Sequence, residues 1–230
     1  MIPVKSILVI QTSFIGDAIL ATSMLESLHR AQPDAKISLL VRKGNESLFA
    51  NHPFLDKLFV WNKENGKYRS LIKITEEIRS LNFSAVINAH RYASSGWVTW
   101  RSGAHHRIGY KKNPLSFLFT ASIEHNFDGR HETERNHELI KAFVDHTKPV
   151  NPKLYPSTAD AEKINHLNNG NFYCIAPTSV WFTKQWPQEK WTNLIDGLPH
   201  HAQVYLLGSR SDKETVLSIA SYSQNSNCTV

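Results

Sequence analysis

Short apolar runs alternate with longer stretches in which every third or fourth residue is apolar. Residues 6–11 form an aliphatic, β-branched run of strand length, and 18–30 carry Ala21, Met24, Leu25 and Leu28 at helical spacing. Runs at 36–41 and 57–61 predict two further strands. Leu71, Ile74, Ile78 and Leu81 space a second amphipathic helix, which leads into a strand at 85–88. Strands and helices in this order, with continuous apolar strands, predict a parallel doubly wound α/β sheet covered on both faces and joined by right-handed crossovers.

Between 91 and 127 the pattern weakens around Gly96, Gly103, Gly109 and Pro114, so irregular, surface-forming structure is expected there. A helix is then expected over Leu139, Ile140, Phe143 and Val144. Residues 148–158 hold Pro149, Pro152 and Pro156 without periodicity and read as an interdomain linker. A second α/β unit follows. It has a strand at 172–176, a helix opened by Pro187 with core positions Trp191, Leu194, Ile195 and Leu198, and a strand at 204–207. Ser211 and Glu214 form a capping-box pattern for one more helix. The expected division is 1–150 and 151–230, the second part holding fewer strands than the five or six or so of a complete doubly wound domain.

Composition narrows the chemistry. The chain has 230 residues, 41% hydrophobic and 20% charged, which suits a folded protein rather than a disordered one. No run approaches the roughly 18 apolar residues that span a bilayer, and the chain reads as cytoplasmic. Cys174 and Cys228 are far apart, and Cys174 in its apolar run reads as a buried thiol. A formal charge of +6 favours acidic partners without choosing among nucleic acid, phosphorylated small molecules and an anionic membrane.

The first candidate site is the loop Gln11-Thr12-Ser13-Phe14-Ile15-Gly16-Asp17 between the first strand and helix, where open α/β sheets bind ligands. Gly16 would admit close backbone approach, and the helix N-terminus would attract an anion. Asp17 stands at that opening either as a helix cap or as a reactive carboxylate. The loop is neither GxGxxG nor GxxxxGK[ST]. The second candidate is Thr178 and Ser179 after a strand, with Lys184 before a helix: hydroxyls and a cation suited to a diphosphate, set against a solvated lysine beside a packed Trp186. A third, Leu207-Gly208-Ser209-Arg210, reads better as a plain turn with a capping serine. His131-Glu132 is followed by Arg135 where a zinc helix would need histidine, so no metal is expected, and no GxSxG elbow is present. Aromatics among basic residues from Trp97 to Lys112 raise nucleic-acid binding as a competing idea, but no known motif accompanies them.

ILVIQTSFIGDAILATSMLESL at 7–28 and APTSVWFTKQWPQEKWTNLI at 176–195 together resemble the ADP-heptose:lipopolysaccharide heptosyltransferases, glycosyltransferase family 9. ETERNHELIKAF at 132–143 and LLGSRSDKE at 206–214 fall in the same order. The resemblance implies a GT-B architecture of two Rossmann-like domains, the first binding acceptor and the second a nucleotide sugar. It also implies inverting transfer of heptose from ADP-heptose to the lipopolysaccharide inner core, with no cofactor or obligatory metal. On that reading Asp17 is the general base and Lys184 stabilises departing ADP. Thr178 and Ser179 bind the diphosphate, and Thr12, Ser13 and Gly16 line the substrate site. The basic surface would suit a lipid A–Kdo acceptor at the inner face of the inner membrane, with no nucleic acid bound. The family's later Asp-x-Gly-x-x-His motif has no counterpart within the 230 residues, so either a fragment of a longer enzyme or a shortened relative that binds acceptor but turns over poorly is expected; the alternatives are a truncated non-catalytic acceptor- or nucleotide-binding module and a family relative using another nucleotide sugar.

Overall fold

The computed structural model describes residues 1–64, 66–167 and 170–230. It divides into two units, Met1–Pro156 and Ser157–Val230.

In the first unit, strands β1 (Ser6–Gln11), β2 (Lys36–Arg42), β3 (Leu55–Trp61), β4 (Ala85–Asn88), β5 (His106–Tyr110) and β6 (Ala121–Ile123) form one sheet. Their order is β3-β2-β1-β4-β5-β6, and every pairing is parallel. Alternate side chains of the central strands serve opposite cores. Ile7, Val9, Leu39 and Ile87 pack with Ala21, Leu25 and Leu28 of helix α1 (Ile15–Ala31). Leu8, Ile10, Leu40 and Val86 pack with Leu71, Ile74 and Ile78 of α2 (Lys67–Ser80) and Val98 of α3 (Ala93–Arg101). Burial on both faces is why the interiors of these strands are mostly apolar, each buried apolar side chain contributing about 1.5–3 kcal/mol of transfer free energy.

The stretch expected to be irregular is ordered as α3, β5 and β6. Its glycines mark close approach rather than interruption. A Cβ on Gly96 would lie 2.3 Å from Asn113 Oδ1, and one on Gly109 would lie 2.6 Å from the Phe119 ring. Gly103 is a true break, with φ +71° just beyond α3.

The helix expected over Leu139–Val144 lies earlier, as α4 (Glu132–Glu138), opened by a capping box between His131 and Glu134. Leu139, Ile140, Phe143 and Val144 are buried as expected, but in turns closed by i→i+3 bonds such as Ile140 N to His137 O at 3.0 Å. Their spacing reported the core-facing side and not the backbone form.

Residues 148–156, within the expected linker, form a strap along α1. Ser23 Oγ donates to Val150 O, Ser27 Oγ accepts from Val150 N at 3.2 Å, and Thr22 Oγ1 accepts from Lys153 N at 2.9 Å. Tyr155 OH donates to Glu26 Oε1 at 2.9 Å. The buried Thr22, Ser23 and Ser27 of α1 thus find partners, and the unit boundary falls after Pro156.

The second unit contains α5 (Thr158–Ile164), β7 (Phe172–Ile175), α6 (Gln188–Asp196), β8 (Gln203–Leu206), α7 (Lys213–Tyr222) and β9 (Cys228–Thr229). Its sheet runs β7-β8-β9, all parallel. Ile195, Val204, Leu206, Val216 and Ile219 form its core. Leu194, expected inside, is 41% exposed. Cys174 is exposed as well, because β7 is an edge strand whose other side chains, Phe172 and Tyr173, are also open. The capping box falls on Ser209 and Asp212, not Ser211 and Glu214: Ser209 N and Oγ both donate to Asp212 Oδ2.

Candidate active site

β1 and its neighbours β2 and β4 lie where the winding of the sheet reverses, and the loops at their carboxyl ends open a crevice there. Thr12, Ser13 and Phe14 follow β1; Arg42 ends β2; Lys63 follows β3; His90 and Tyr92 follow β4. These residues line a cleft of about 290 Å³ together with Lys67 at the start of α2.

The floor is fixed by hydrogen bonds. Buried Thr12 Oγ1 lies 3.0 Å from His90 Nδ1, and Ser13 O accepts from Asn45 Nδ2 at 3.1 Å. His90 N donates to Asn88 Oδ1 at 2.9 Å, while Asn113 Nδ2 donates to His90 O and Tyr92 O at 3.2 and 3.0 Å. Burial, with Lys63 and Arg91 nearby, lowers the His90 pKa to about 3, so the ring is neutral at pH 7 and serves as a strut.

The charged walls are all cationic. Lys63 Nζ donates to Thr12 O at 2.5 Å and sits 4.7 Å from the Trp61 ring centroid; Arg42 lies 5.1 Å over Phe14. Burial first, then repulsion from Arg42 and Lys67, lowers the Lys63 pKa to about 8. Three cations around one concavity, one of them short of solvent, form an anion-binding arrangement.

Asp17 occupies the first turn of α1, but the N-cap is Phe14, so Asp17 is not the capping residue. It is half-buried, and among the described residues its carboxylate has no hydrogen-bond or ion-pair partner. Gly16 beside it is exposed, and a Cβ there would meet nothing within 4 Å, which leaves the backbone open to a ligand.

In the second unit, Thr178 lines a cleft of about 160 Å³ with Trp186, Trp191 and Asp212. Hydrogen bonds from Ser209 first, with Thr178 adding a smaller effect, hold the Asp212 carboxyl below its usual range. Ser179 shapes the turn: its Oγ accepts from Trp181 N at 3.2 Å, and its carbonyl accepts from Gln185 Nε2 at 2.6 Å. Lys184 ends a 3-10 turn ahead of α6, exposed and outside that cleft. The turn at 207–210 borders a separate concavity of about 330 Å³, with Ser209 capping as expected.

The basic and aromatic residues after Trp97 do not assemble into a stacking platform. Tyr110 is 1% exposed and bonds Asn136, Arg107 is spent on the carbonyls of Ala104 and Leu118, and Lys111 pairs with Glu124 at 2.6 Å. Sequence reasoning missed Arg42, Lys63 and Lys67. Their signal was positional: two of these cations lie at or just past the carboxyl ends of parallel strands, and the third opens the next helix.

Comparison with known proteins agrees with the topology. Lipopolysaccharide heptosyltransferase 1 of Pseudomonas aeruginosa is 24% identical over 237 residues, covering 95% of this chain. The match spans 65% of that protein's length. The solved glycosyltransferase family 9 protein of Veillonella parvula superposes with a TM-score of 0.84 at 19% identity, over 96% of this chain and 68% of its own. The E. coli heptosyltransferase WaaC with ADP gives 0.72 at 21% identity, over 98% and 73% respectively. The fold is therefore the mixed α/β, parallel-sheet GT-B type of the heptosyltransferase structures. With the profile of glycosyltransferase family 9 (heptosyltransferase) matching residues 71–230, this chain belongs to that family.

Proposed function

We propose that the protein transfers heptose from ADP-heptose to the inner core of a lipopolysaccharide acceptor with inversion at the anomeric carbon. Residues 1–156 would take the anionic acceptor and 157–230 contribute to the nucleotide-sugar site. The observation that carries this reading is Asp17: a carboxylate in the first turn of α1, at the carboxyl end of β1, without a protein partner among the described residues.

In the proposed step Asp17 accepts the proton of an acceptor hydroxyl as its oxygen bonds to the anomeric carbon. The bond from that carbon to the β-phosphate oxygen breaks through an oxocarbenium-like transition state, and ADP leaves with the electron pair. Lys184 neutralises the diphosphate, with Thr178 and Ser179 adding hydrogen bonds. Thr12, Ser13 and Gly16 shape the acceptor side, and the protein works at the inner face of the membrane that carries the acceptor.

The test is ADP release from ADP-heptose in the presence of a heptose-deficient lipopolysaccharide acceptor. Asp17→Asn is expected to lower kcat by roughly 10²–10⁴ with ADP-heptose affinity retained, and Lys184→Ala by roughly 10²–10³. Full activity in Asp17→Asn would remove Asp17 as the base. An absence of release with every ADP-sugar and acceptor tried would overturn the transferase reading for this protein.

A further inference from the structure

A separate pocket of about 540 Å³ lies between α2 and α3. Its walls are apolar: Leu71 and Ile72 from α2, Trp97 from α3, and Leu115. Ile72 is 53% exposed, a position that costs solvation without a packing gain in the protein itself. Tyr68 and Tyr92 stand at its edge, 73% and 68% exposed.

Two features separate this pocket from an ordinary surface hollow. Lys67, Tyr92 and Ser94 line both it and the cationic cleft, so the apolar space opens directly beside the cations. Asn113 braces both: its Nδ2 donates to His90 O and Tyr92 O, and its Oδ1 accepts from Leu115 N at 3.0 Å. The Trp97 wall is braced as well, edge-on to Trp100 with Arg101 5.8 Å from its centroid. The pocket is pre-formed, apolar and cationic at one end only, which complements a molecule with an anionic head and an apolar tail.

We propose that this pocket is a subsite for an acyl chain of the lipid acceptor whose anionic headgroup enters the cationic cleft. The proposal rests on the acceptor reading above. The headgroup lies among Arg42, Lys63 and Lys67, and the chain passes Tyr92 and Ser94 to lie between Ile72, Trp97 and Leu115. Acylation of the acceptor then counts in recognition by the protein itself and not only in anchoring the acceptor to its membrane.

The experiment is calorimetric titration of the protein with straight-chain alkyl phosphates from butyl to dodecyl, each below its critical micelle concentration. Burial of one methylene corresponds to about fourfold in affinity, so Kd is expected to fall roughly two- to fourfold per added methylene and then level off when the pocket is filled. Ile72→Asn, a neutral polar change at an exposed position, is expected to flatten the series, the loss of affinity growing with chain length. Trp97→Ala is expected to make the slope shallower, and Arg42→Ala to weaken every length alike. A flat wild-type series with butyl phosphate still bound and sensitive to Arg42→Ala overturns the acyl subsite and spares the cationic-cleft reading. Absence of binding at any length overturns both. Affinity for phosphatidylglycerol vesicles without any chain-length dependence among the monomeric phosphates also overturns the subsite, and assigns the exposed aromatics to membrane adsorption.

Discussion

Lys63 connects the structure of the cleft to its electrostatics. Its ammonium is held by Thr12 O while burial, Arg42 and Lys67 all disfavour the charge, which brings its pKa to about 8. The folded protein therefore holds this proton less tightly than the unfolded chain does. The charge costs stability below about pH 8, and the cost is relieved as pH rises from there toward the ordinary lysine value of 10.5. Ligand binding runs the other way, because an anion in the cleft favours the protonated form. Methyl phosphate, a monoester already dianionic above pH 7 or so, is expected to bind progressively more weakly from pH 7.5 to 9.5, with proton uptake detectable by calorimetry in buffers of different ionisation enthalpy. In Lys63→Met the affinity is expected to be several-fold lower at pH 7.5 and nearly independent of pH. An equal pH slope in the variant would place the titrating group elsewhere.

At the scale of elements, the strap at 148–156 accounts for residues that a helical-face reading treats as anomalies. Thr22, Ser23 and Ser27 are 0–1% exposed on a helix whose other inward positions are aliphatic. Their hydroxyls are the attachment points of the strap, at Val150 and Lys153. Thr22→Val with Ser27→Ala leaves the Lys153 and Val150 amides without their acceptors, so a loss of about 1–3 kcal/mol is expected in urea unfolding. Cleavage within 148–156 by a nonspecific protease is expected to quicken. Unchanged cleavage in the double variant would mean that the strap is held by Tyr155 and its aromatic neighbours instead. These pairings were not legible in the sequence because they join residues more than 120 positions apart, whereas β1 and β4 were, since burial on both faces leaves uninterrupted apolar runs at 7–10 and 85–87. Gly96 and Gly109 misled for a related reason. Glycine marks both turns and close approaches, and only the positions of Asn113 and Phe119 tell the two apart. At the candidate site, the Thr12–Asp17 loop was conspicuous through its place after a strand. The partnership of Thr12 with His90, 78 residues away, had no local sign.

For the whole chain, the two units differ in how much core supports each sheet. The central strands of the first unit are closed to solvent on both faces, with Ile7, Leu8, Val9 and Ile10 all at 0%. In the second, β7 shows three exposed residues and one half-buried, and among the described residues five buried side chains form the core. Local opening free energy follows buried apolar contact, so the amides of β1, β2 and β4 are expected to exchange slowest, and those of β7 faster by orders of magnitude. In urea the second unit is then expected to unfold first. Ile195→Ala, which empties a fully buried position in that unit, should lower only the first transition, by about 2–5 kcal/mol. Leu8→Ala should lower only the second. If one cooperative transition responds to both substitutions, the units share their stability, and the small core of the second is supported by the first. If two transitions separate, Thr178, Ser179 and Lys184 sit on the less stable unit and Asp17 on the more stable one. ADP added to the protein should then raise the first transition alone, while alkyl phosphates raise the second, which ties each proposed ligand to its own unit by a measurement that does not depend on turnover.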